Sequence, residues 1–402
     1  MIRTVKAFNL KNQRILMRVD FNVPFDNGHI LDEFRIHAAL PTIRYCLDAG
    51  ASIVLMSHLG RPGGKEKSEH SLIPIGEALA GMLEMPIKFS DDCISQDAID
   101  TSIGLKPGEI HLLQNLRFHP GEVSNNPEYS EMLSRHGRVF INDAFATIHR
   151  AHASNVGVAK SFKNRGIGFL IEKEINQLAR IIKKPKRPLV VILGGSKIGS
   201  KLKLIEQLLD KADTILLAGG MAFTFLSSSG STIGGSLLEE TMLSTANSVL
   251  NDARTRGIRL ILPIDVYCGK GTVNSNPIGP ISINEIPNEM MGLDIGPRTI
   301  EVFTNALNDA ETVFWNGPVG MYELPGYERG SKQLAILLAK MKEKGKTVII
   351  GGGDTASAIN KFGLSNEMSH ISTGGGASLE ILSENSLPAL QSLETVSYTH
   401  LT

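Results

Sequence analysis

Short apolar runs rich in valine, isoleucine and leucine alternate with amphipathic helical segments along the whole chain. This alternation constrains the fold strongly, because parallel strands need a long crossover connection, usually a helix, between them. The sequence therefore predicts an α/β protein with parallel sheets flanked by helices. The predicted strands are 13–19, 51–56, 110–114 and 138–142 in the first half, and 189–193, 213–218, 258–264, 311–315, 346–350 and 369–373 in the second.

The two halves join near residues 160–187, where a short predicted strand precedes a long amphipathic helix. The apolar stripe of that helix consists of Ile175, Leu178, Ile181 and Ile182. We expect two Rossmann-like domains, 1–170 and 171–385, joined by this helix as a hinge.

Charge and cysteine content exclude several classes of protein. Lysine plus arginine and aspartate plus glutamate each number 41 in 402 residues, so net charge gives no reason to expect nucleic-acid or membrane binding. Three widely spaced cysteines match no zinc or disulfide framework and suit a reducing compartment. The N-terminal stretch has no apolar core, and no apolar run is long enough to span a bilayer, so we expect a cytoplasmic protein.

Glycines follow nearly every predicted strand of the second half, in "GGSK", "GGM", "NGP", "GGGD" and "GGG". Open α/β sheets bind ligands outside the carboxyl ends of their strands, and glycine there lets the backbone approach a ligand closely. This recurrence favours a nucleotide-sized ligand over ordinary turn chemistry.

The stretch "VVILGGSKIGSKLKLIEQLL" (190–209) predicts a strand, a turn and a helix with Lys197 and Lys201 in its first turn. Cations are unfavourable at a helix N-terminus unless an anion lies there, so the pair indicates a phosphate site. Ser200 stands where a P-loop requires lysine, so the site is not of that type. Solvated surface lysines are the alternative.

Basic side chains follow the predicted strands of the first half, where parallel topology would gather them at one sheet edge. Arginine bonds phosphate and carboxylate bidentately, so such a cluster predicts a small, strongly anionic ligand. The polar and charged residues at these ends are Asp20, Asn22, Arg35, His58, Arg61, Arg117, His149 and Arg150.

Taken together, these motifs closely resemble those of the phosphoglycerate kinase family. In order along nearly the whole chain they are "RVDFNVP", "SHLGRP", "NLRFHPGE", "NDAF-T-HRAH", "GGSK", "GGMAFTF", "LDIGP", "FWNGPVG-YE", "IIGGGDTA" and "STGGGASLE". The resemblance implies reversible phosphoryl transfer between 1,3-bisphosphoglycerate and Mg-ADP, giving 3-phosphoglycerate and Mg-ATP. It also implies a monomer whose C-terminal residues, about 386–402, pack back on the N-terminal domain.

The resemblance implies that the acid substrate binds to residues of the first half. Asp20 and Asn22 would hold its hydroxyl and carboxylate end, and Arg35 would stabilise the transferring group. The substrate phosphate would be clamped by His58, Arg61, Arg117 and Arg150.

In the second half, the resemblance places the nucleotide and its magnesium ion. Lys197 would contact the nucleotide phosphates, and Lys201 would help neutralise the phosphate in transfer. Asp354 would bind Mg2+, although an aspartate just before a helix is also a common N-cap. The remaining predicted contacts are Gly195, Gly219, Gly220, Asn316, Pro318, Glu323, Gly353 and Thr355 for the nucleotide, and Gly374 and Gly375 for the transferred phosphoryl group.

Some positions depart from the family pattern without changing a predicted phosphate contact. They are Gln114, Gly121, Ala146, Ile148, Ser200 and the tail "ETVSYTHLT". Two alternatives therefore stay open: a catalytically silent nucleotide- or anion-binding protein on the same scaffold, and another α/β transferase acting on a different acyl phosphate. Retention of Arg35, Lys197, Lys201 and Asp354 argues against the first, because a binder needs no groups aimed at a transient charge.

Overall fold

The structure is a computed structural model, and it divides the chain into two compact units. The first unit is Met1–Asn176 with Ser386–Thr402, and the second is Gln177–Asn385. The described residues are 2–26, 28–182, 185–199, 201–270, 276–383 and 386–394; within 28–182, the side chains of Arg180 and Ile182 are not described.

In the first unit, six described strands form a parallel sheet in the order β5-β6-β4-β1-β7-β8, and β2 and β3 form a separate hairpin. The strands are β1 (Arg14–Arg18), β2 (Phe25–Asp26), β3 (His29–Ile30), β4 (Ser52–Met56), β5 (Ile87–Ser90), β6 (Ile110–Leu113), β7 (Val139–Asn142) and β8 (Arg165–Ile167). The helices are α1 (Phe34–Asp48), α2 (Ile73–Leu83), α3 (Gln96–Ile103), α4 (Pro120–Val123), α5 (Pro127–Ser134), α6 (Val158–Lys160) and α7 (Phe169–Ile182).

The central strands of this sheet are buried on both faces, which explains their continuous apolar sequence. Every residue of β4 and β7 is buried, and "ILM" in β1 is fully excluded from solvent. The four strands predicted in this half are confirmed, but β5 was not predicted. Its sequence, "IKFS", is short and only partly buried, as an edge strand's is, so it lacks the apolar run of the others.

The second unit contains a parallel sheet in the order β11-β10-β9-β15-β16-β17. The strands of this unit are β9 (Leu189–Leu193), β10 (Thr214–Leu217), β11 (Arg259–Ile261), β12 (Asp265–Gly269), β13 (Ile278–Ser282), β14 (Met291–Ile295), β15 (Thr312–Asn316), β16 (Thr347–Gly351) and β17 (His370–Ile371). The helices are α8 (Leu202–Leu208), α9 (Gly220–Ser228), α10 (Leu243–Thr255), α11 (Pro297–Leu307), α12 (Arg329–Glu343), α13 (Gly353–Lys361) and α14 (Gly375–Leu382).

All six predicted strands of this half are confirmed, whereas a small antiparallel sheet, in the order β13-β12-β14, was missed. Asp265 directly follows the predicted strand 258–264, which predicts that it lies at the ligand-facing end of a parallel strand. It instead begins β12, and its carboxylate accepts hydrogen bonds from the backbone N–H groups of Arg298 and Thr299 in the first turn of α11. Asp265 therefore caps a helix.

Helix α7 confirms the long amphipathic helix predicted between the two halves. Leu178 and Ile181 are buried and Ile175 is partly buried, while the side chain of Ile182 lies outside the described residues. The division between the two units falls inside this helix. Its role as a hinge stays a prediction.

The C-terminal segment contains α15 (Pro388–Leu393), which packs in the first unit. The Ala389 N–H donates to the Ile148 carbonyl at 3.2 Å, and the Ser392 hydroxyl donates to the Asn155 carbonyl at 3.2 Å. The rest of the unusual tail, 395–402, lies outside the described residues. Among the described helices, none combines the length and apolar character needed to cross a bilayer.

Candidate active site

The glycine-rich loops of the second unit meet where strand order reverses. The chain adds β10 and β11 on one side of β9, and β15, β16 and β17 on the other, so the switch point lies between β9 and β15. Beyond these strands the backbone stays paired: Gly194 N–H donates to the Asn316 carbonyl, and Gly195 N–H to the Pro318 carbonyl, both at 3.0 Å. A switch point opens a crevice at the carboxyl ends of the strands, which is where α/β sheets bind ligands.

Two glycines allow these loops to approach so closely. Gly317 has φ +93°, and an added Cβ would lie 2.3 Å from the Gly194 oxygen. Gly219 has φ +66°, and an added Cβ would lie 2.7 Å from the Gly195 nitrogen. A side chain at either position would be strained and would collide with backbone, so the loop geometry requires glycine.

Lys201 points into the switch point, and its side chain is partly buried there. Its ammonium donates to the carbonyls of Gly194 at 2.6 Å and Asn316 at 2.9 Å. Burial lowers the pKa of Lys201 from 10.5 to about 8, and the nearby Asp354 carboxylate only partly opposes this shift. A buried cation near the edge of a crevice is a group that an anionic ligand would stabilise.

The prediction that both lysines lie in the first helical turn is wrong. Helix α8 begins at Leu202, so Lys201 occupies the N-cap position and Lys197 lies exposed in the preceding loop. The Glu239 carboxylate accepts hydrogen bonds from the backbone N–H groups of Ile198 and Gly199, which holds this loop outside the helix. Ser200 lies outside the described residues.

Two neighbouring cavities share Gly195, Ser196 and Asp354 in their walls. The larger, about 550 Å³, is mostly apolar, and the predicted residues that line it are Gly195, Gly219, Gly220, Pro318, Glu323 and Asp354. The smaller, about 220 Å³, is lined by these predicted residues: Gly195, Lys197, Lys201, Asn316, Asp354, Thr355 and Gly375. One cavity thus suits a flat apolar group and the other a charged one.

Polar groups in the smaller cavity fit a phosphate and its counter-ion. Among the described residues, Nδ2 of buried Asn316 has no hydrogen-bond partner. The Thr355 hydroxyl accepts from the Gly317 N–H at 2.6 Å. Asp354 is the second residue of α13, is exposed and makes no cap hydrogen bond, so the N-cap interpretation is wrong. Its carboxylate is available to a cation.

Gly353 and Gly374 are not among the residues lining these cavities. Gly353 is the first residue of α13. The Gly374 N–H already donates to the Ser372 hydroxyl at 3.3 Å, whereas Gly375 begins α14 beside the smaller cavity. Of the two predicted phosphoryl donors, the structure therefore favours Gly375.

In the first unit, predicted polar residues meet beyond β1 and β4. The Arg35 guanidinium pairs with the buried Asp20 carboxylate at 2.6 Å. Asn22 Oδ1 accepts from the Gly60 N–H at 2.8 Å, and the Arg117 guanidinium donates to the Gly60 carbonyl at 2.7 Å. These bonds join the "RVDFN", "HLGRP" and "NLRFHP" segments.

Arg18 belongs to this cluster and was missed by the sequence analysis. It is 1% exposed, donates to the Ser154 hydroxyl at 2.9 Å and contacts Nδ1 of His58 at 3.0 Å. The Ser154 hydroxyl in turn donates to the buried Glu122 carboxylate at 2.7 Å. A signal was present, because Arg18 is a charged residue that directly follows the buried apolar run "ILM" of β1 and begins the quoted "RVDFN" motif.

The electrostatics confirm that cationic groups converge here. The pKa of buried His58 is well below its ordinary value, first because of burial and then because of Arg18, Arg117, Arg150 and Arg35. Burial, followed by Arg150 and Arg18, lowers the pKa of Arg117 to about 10. Neutral imidazole and crowded guanidinium groups make a region that an anion would stabilise.

Arg150 and Arg61, two predicted members of the basic cluster, differ from each other in burial and in hydrogen bonding. Arg150 is partly buried and its Nε donates to Nε2 of His149 at 3.3 Å. Arg61 is exposed, and no hydrogen bond or ion pair within the described residues ties it to the cluster. The structure therefore brings Arg35, His58, Arg117 and Arg150 together and leaves Arg61 at the surface.

Three departures from the family pattern fit the packing. At Gly121, an added Cβ would lie 2.8 Å from the Tyr129 Cβ. Gln114 is buried and accepts from the Leu72 N–H at 3.0 Å. The carbonyl of buried Ile148 accepts a hydrogen bond from the Ala389 N–H of the C-terminal segment. None of these three removes a group of the basic cluster.

Comparison with known proteins gives one consistent result. The model of the family described as phosphoglycerate kinase matches residues 5–385. A phosphoglycerate kinase of Thermosipho africanus is 44% identical over 97% of both chains, and one of Pelodictyon phaeoclathratiforme is 45% identical over 97% of this chain and 99% of its own.

Solved structures agree. A phosphoglycerate kinase from Coxiella burnetii matches with a TM-score of 0.85 and 36% identity, over 98% of this chain and 99% of its own. One from Pyrococcus horikoshii matches with a TM-score of 0.82 and 30% identity, over 98% of both. The alternative of a silent scaffold receives no support from these comparisons. The chain, with its basic cluster and its glycine-lined crevice, belongs to the phosphoglycerate kinase family and is a phosphotransferase.

Proposed function

We propose that this enzyme transfers a phosphoryl group reversibly between 1,3-bisphosphoglycerate and Mg-ADP, giving 3-phosphoglycerate and Mg-ATP, with the acid on the first unit and the nucleotide on the second. The observation that carries the proposal is Lys201, a buried ammonium that reaches the strand-order switch point from the start of α8. In-line transfer after hinge closure stays a prediction.

On the first unit, the guanidinium groups would bind the acid substrate. Arg117 and Arg150, with His58, would clamp its phosphate, and exposed Arg61 would reach the same phosphate from the surface. Asp20 and Asn22 would hold the hydroxyl and carboxylate end. Arg35 would stabilise charge on the transferring group, since it is partly exposed and paired only through one guanidinium nitrogen with Asp20.

On the second unit, the larger cavity would take the adenine base and ribose, with Glu323 at the ribose and Gly219, Gly220 and Pro318 along the wall. The smaller cavity would take the phosphates. There Lys197, Asn316 Nδ2 and the Gly375 N–H are donors, and Lys201 would neutralise the phosphoryl group in transfer.

The oxygen atoms of side chains in the smaller cavity also suit Mg2+ as ligands. This ion is usually held by one or two carboxylates together with substrate phosphates, and Asp354 supplies an exposed carboxylate beside the Thr355 hydroxyl. We propose that Asp354 holds Mg2+ when the nucleotide is bound. The ion would neutralise and orient the phosphates.

The site needs no general base. The acceptor is already ionised in both directions, as a carboxylate or as a nucleotide phosphate, so the reaction requires alignment and charge neutralisation. Asp20 could be considered a base, but its ion pair with Arg35 makes it a positioning residue. The cluster of cations around the paired Asp20 agrees with this chemistry.

A coupled assay with 3-phosphoglycerate, ATP and Mg2+ tests the proposal. We expect Mg-dependent turnover that a chelator abolishes and that falls by at least about 10²-fold in Lys201→Ala, as for loss of one transition-state donor. Lys203→Ala is the matched control, because Lys203 lies two residues away, is exposed and should keep full activity.

Turnover that persists in Lys201→Ala, or that ignores the chelator, would contradict the assigned roles. Absence of turnover in the unmodified protein, with both ligands still bound, would contradict the function itself. A monomeric state, a cytoplasmic location and the absence of nucleic-acid or membrane partners also stay predictions, the first of which light scattering on the purified protein would test.

A further inference from the structure

Three side chains with metal-binding chemistry meet in the first unit, away from the basic cluster. They are Asp92 and Cys93, in the loop between β5 and α3, and His119, which immediately precedes α4. Each offers one ligand atom, and these atoms all lie within 4.8 Å of one another. The Asp92 carboxylate and Nε2 of His119 are 3.0 Å apart.

We propose that Asp92, Cys93 and His119 form a binding site for Zn2+. A thiolate, an imidazole and a carboxylate are the ligand types that tetrahedral zinc takes, whereas Mg2+ prefers oxygen ligands alone. With Zn–S of about 2.3 Å and Zn–N of about 2.0 Å, ligand atoms in a tetrahedral site lie about 3.5 Å apart. The widest spacing therefore needs a contraction of about 1.3 Å at most.

The surroundings leave room for the ion and for a fourth ligand. A cavity of about 140 Å³ is lined by all three side chains, and the carboxylate residues Glu66 and Asp91 also lie in its wall. The side chains of Asp92 and His119 are 42% and 29% exposed, so an ion can enter from solvent, while Cys93 closes the inner side.

The backbone holds the two adjacent ligands in place. The Cys93 carbonyl accepts from buried His136 at 3.0 Å, and the Ile94 N–H donates to the Asp92 carboxylate at 2.8 Å. The Tyr129 hydroxyl donates to the Leu116 carbonyl at 3.1 Å, so its oxygen accepts the Cys93 S–H at 3.2 Å. Coordination would replace the S–H bond by a Zn–S bond and release the thiol proton to solvent, while the Tyr129 hydroxyl keeps its bond to the Leu116 carbonyl.

The ligands lie on two loops that are distant in sequence, which is why no zinc motif is visible. The site would tie the end of β5 to the segment that also carries Arg117, two residues before His119. The inference does not depend on the proposed phosphoryl transfer, because none of the three residues belongs to the active site.

Cobalt binding to the full-length, chelator-treated protein tests the site. Zn2+ is spectroscopically silent, whereas Co2+ bound by a thiolate gives an ultraviolet charge-transfer band. We expect one equivalent of Co2+ to produce this band and Zn2+ to displace it, because a thiolate ligand in a tetrahedral site selects zinc. Cys93→Ala should abolish the band, and His119→Gln should weaken binding by at least about 100-fold, more than loss of an outer-sphere partner does.

Cys46→Ala and Cys268→Ala are the matched controls, since both cysteines are buried but have no such partners in the described residues. Each should keep the band. His119 is partly exposed, so His119→Gln should remain folded, with an unchanged circular dichroism spectrum, even if Cys93→Ala does not. No band in the unmodified protein, a band that survives Cys93→Ala, or unchanged affinity in His119→Gln would overturn the proposal.

Discussion

Replacing Lys201 by methionine tests the reasoning about the buried ammonium most directly. Burial lowers the pKa of Lys201 from 10.5 to about 8, so the free enzyme carries a partly neutral lysine at mildly alkaline pH. A nucleotide phosphate beside it restores the charge, because an opposite charge favours the protonated form. Nucleotide binding should therefore take up a proton, and Lys201→Met should not.

The magnitude follows from this pKa. If the bound lysine returns to about 10.5, uptake is about 0.1 proton at pH 7, about 0.5 at pH 8 and about 0.9 at pH 9. The same linkage makes Mg-ADP binding about 10-fold weaker at pH 9 than at pH 7. A surface lysine of ordinary pKa would give neither effect in this range.

Isothermal titration calorimetry in two buffers of different ionisation enthalpy measures the uptake. The difference between the unmodified protein and Lys201→Met isolates this group from other titrations, and Lys203→Met is the matched surface control. Uptake below about 0.1 proton at pH 8, or equal uptake in Lys201→Met, would refute the assignment of a depressed pKa.

Stability provides a second readout of the same group. Because the folded-state pKa is below 10.5, the folded protein binds fewer protons than the unfolded chain from about pH 8 to 10.5, and its unfolding free energy rises across that window. The shift corresponds to about 3 kcal/mol at pH 7. Lys201→Met removes this destabilisation but loses two hydrogen bonds from a charged donor, each worth about 1.5–3 kcal/mol. In urea unfolding the variant should therefore be equally or less stable at pH 7, and the rise in unfolding free energy across the window should disappear.

Four further substitutions test other parts of the structure. Arg35→Ala should lower kcat for 3-phosphoglycerate by about 10²-fold or more. Arg150→Ala should mainly raise KM, by about 10-fold or more. Steady-state kinetics that show equal losses of both parameters in both variants would contradict this division of roles. The pKa of buried Asp143 is raised to about 7, so the unfolding free energy should fall as pH rises from about 4 to 7, and Asp143→Asn should flatten this dependence in urea titrations by up to about 4 kcal/mol. Gly219→Ala should cost about 1–3 kcal/mol of stability, measured by urea unfolding, because of the positive φ, and should weaken nucleotide binding; a neutral result would show that the loop relaxes.

The parallel sheets were predictable because burial on both faces leaves a continuous apolar run in each central strand. Leu189–Leu193 and Ser52–Met56 are buried throughout, and both are evident in the sequence. The antiparallel strands around Ile278–Ser282 were not predictable in the same way. That strand is largely exposed and contains glycine and proline, so it is stabilised by its neighbours and not by its own pattern.

The position of the site followed from topology, but the direction of its side chains did not. Lys201 was identified because it follows a strand end, yet its contact with the Asn316 carbonyl joins residues 115 apart in sequence. That contact depends on β9 pairing with β15, which the residues near Lys201 do not encode. Arg18 was overlooked although its charge at the end of a buried strand was visible, because its partners Ser154 and His58 lie 136 and 40 residues away in sequence.

The two units place their anion sites by the same rule but with different donors. In the first, four arginines surround two carboxylates, so the cluster keeps a net positive charge. The arginines are Arg18, Arg35, Arg117 and Arg150, and the carboxylates are those of Asp20 and Glu122. In the second, backbone loops pack so closely that only glycine fits, and one buried ammonium supplies the charge. We expect the guanidinium forks to select a small acid with fixed charged groups, and the backbone cradle to accept a phosphate chain whose charge changes during the reaction. In the sequence, both the arginines and the glycines were recognisable only by their recurrence at successive strand ends, because a single one of either is equally consistent with an ordinary surface residue or turn.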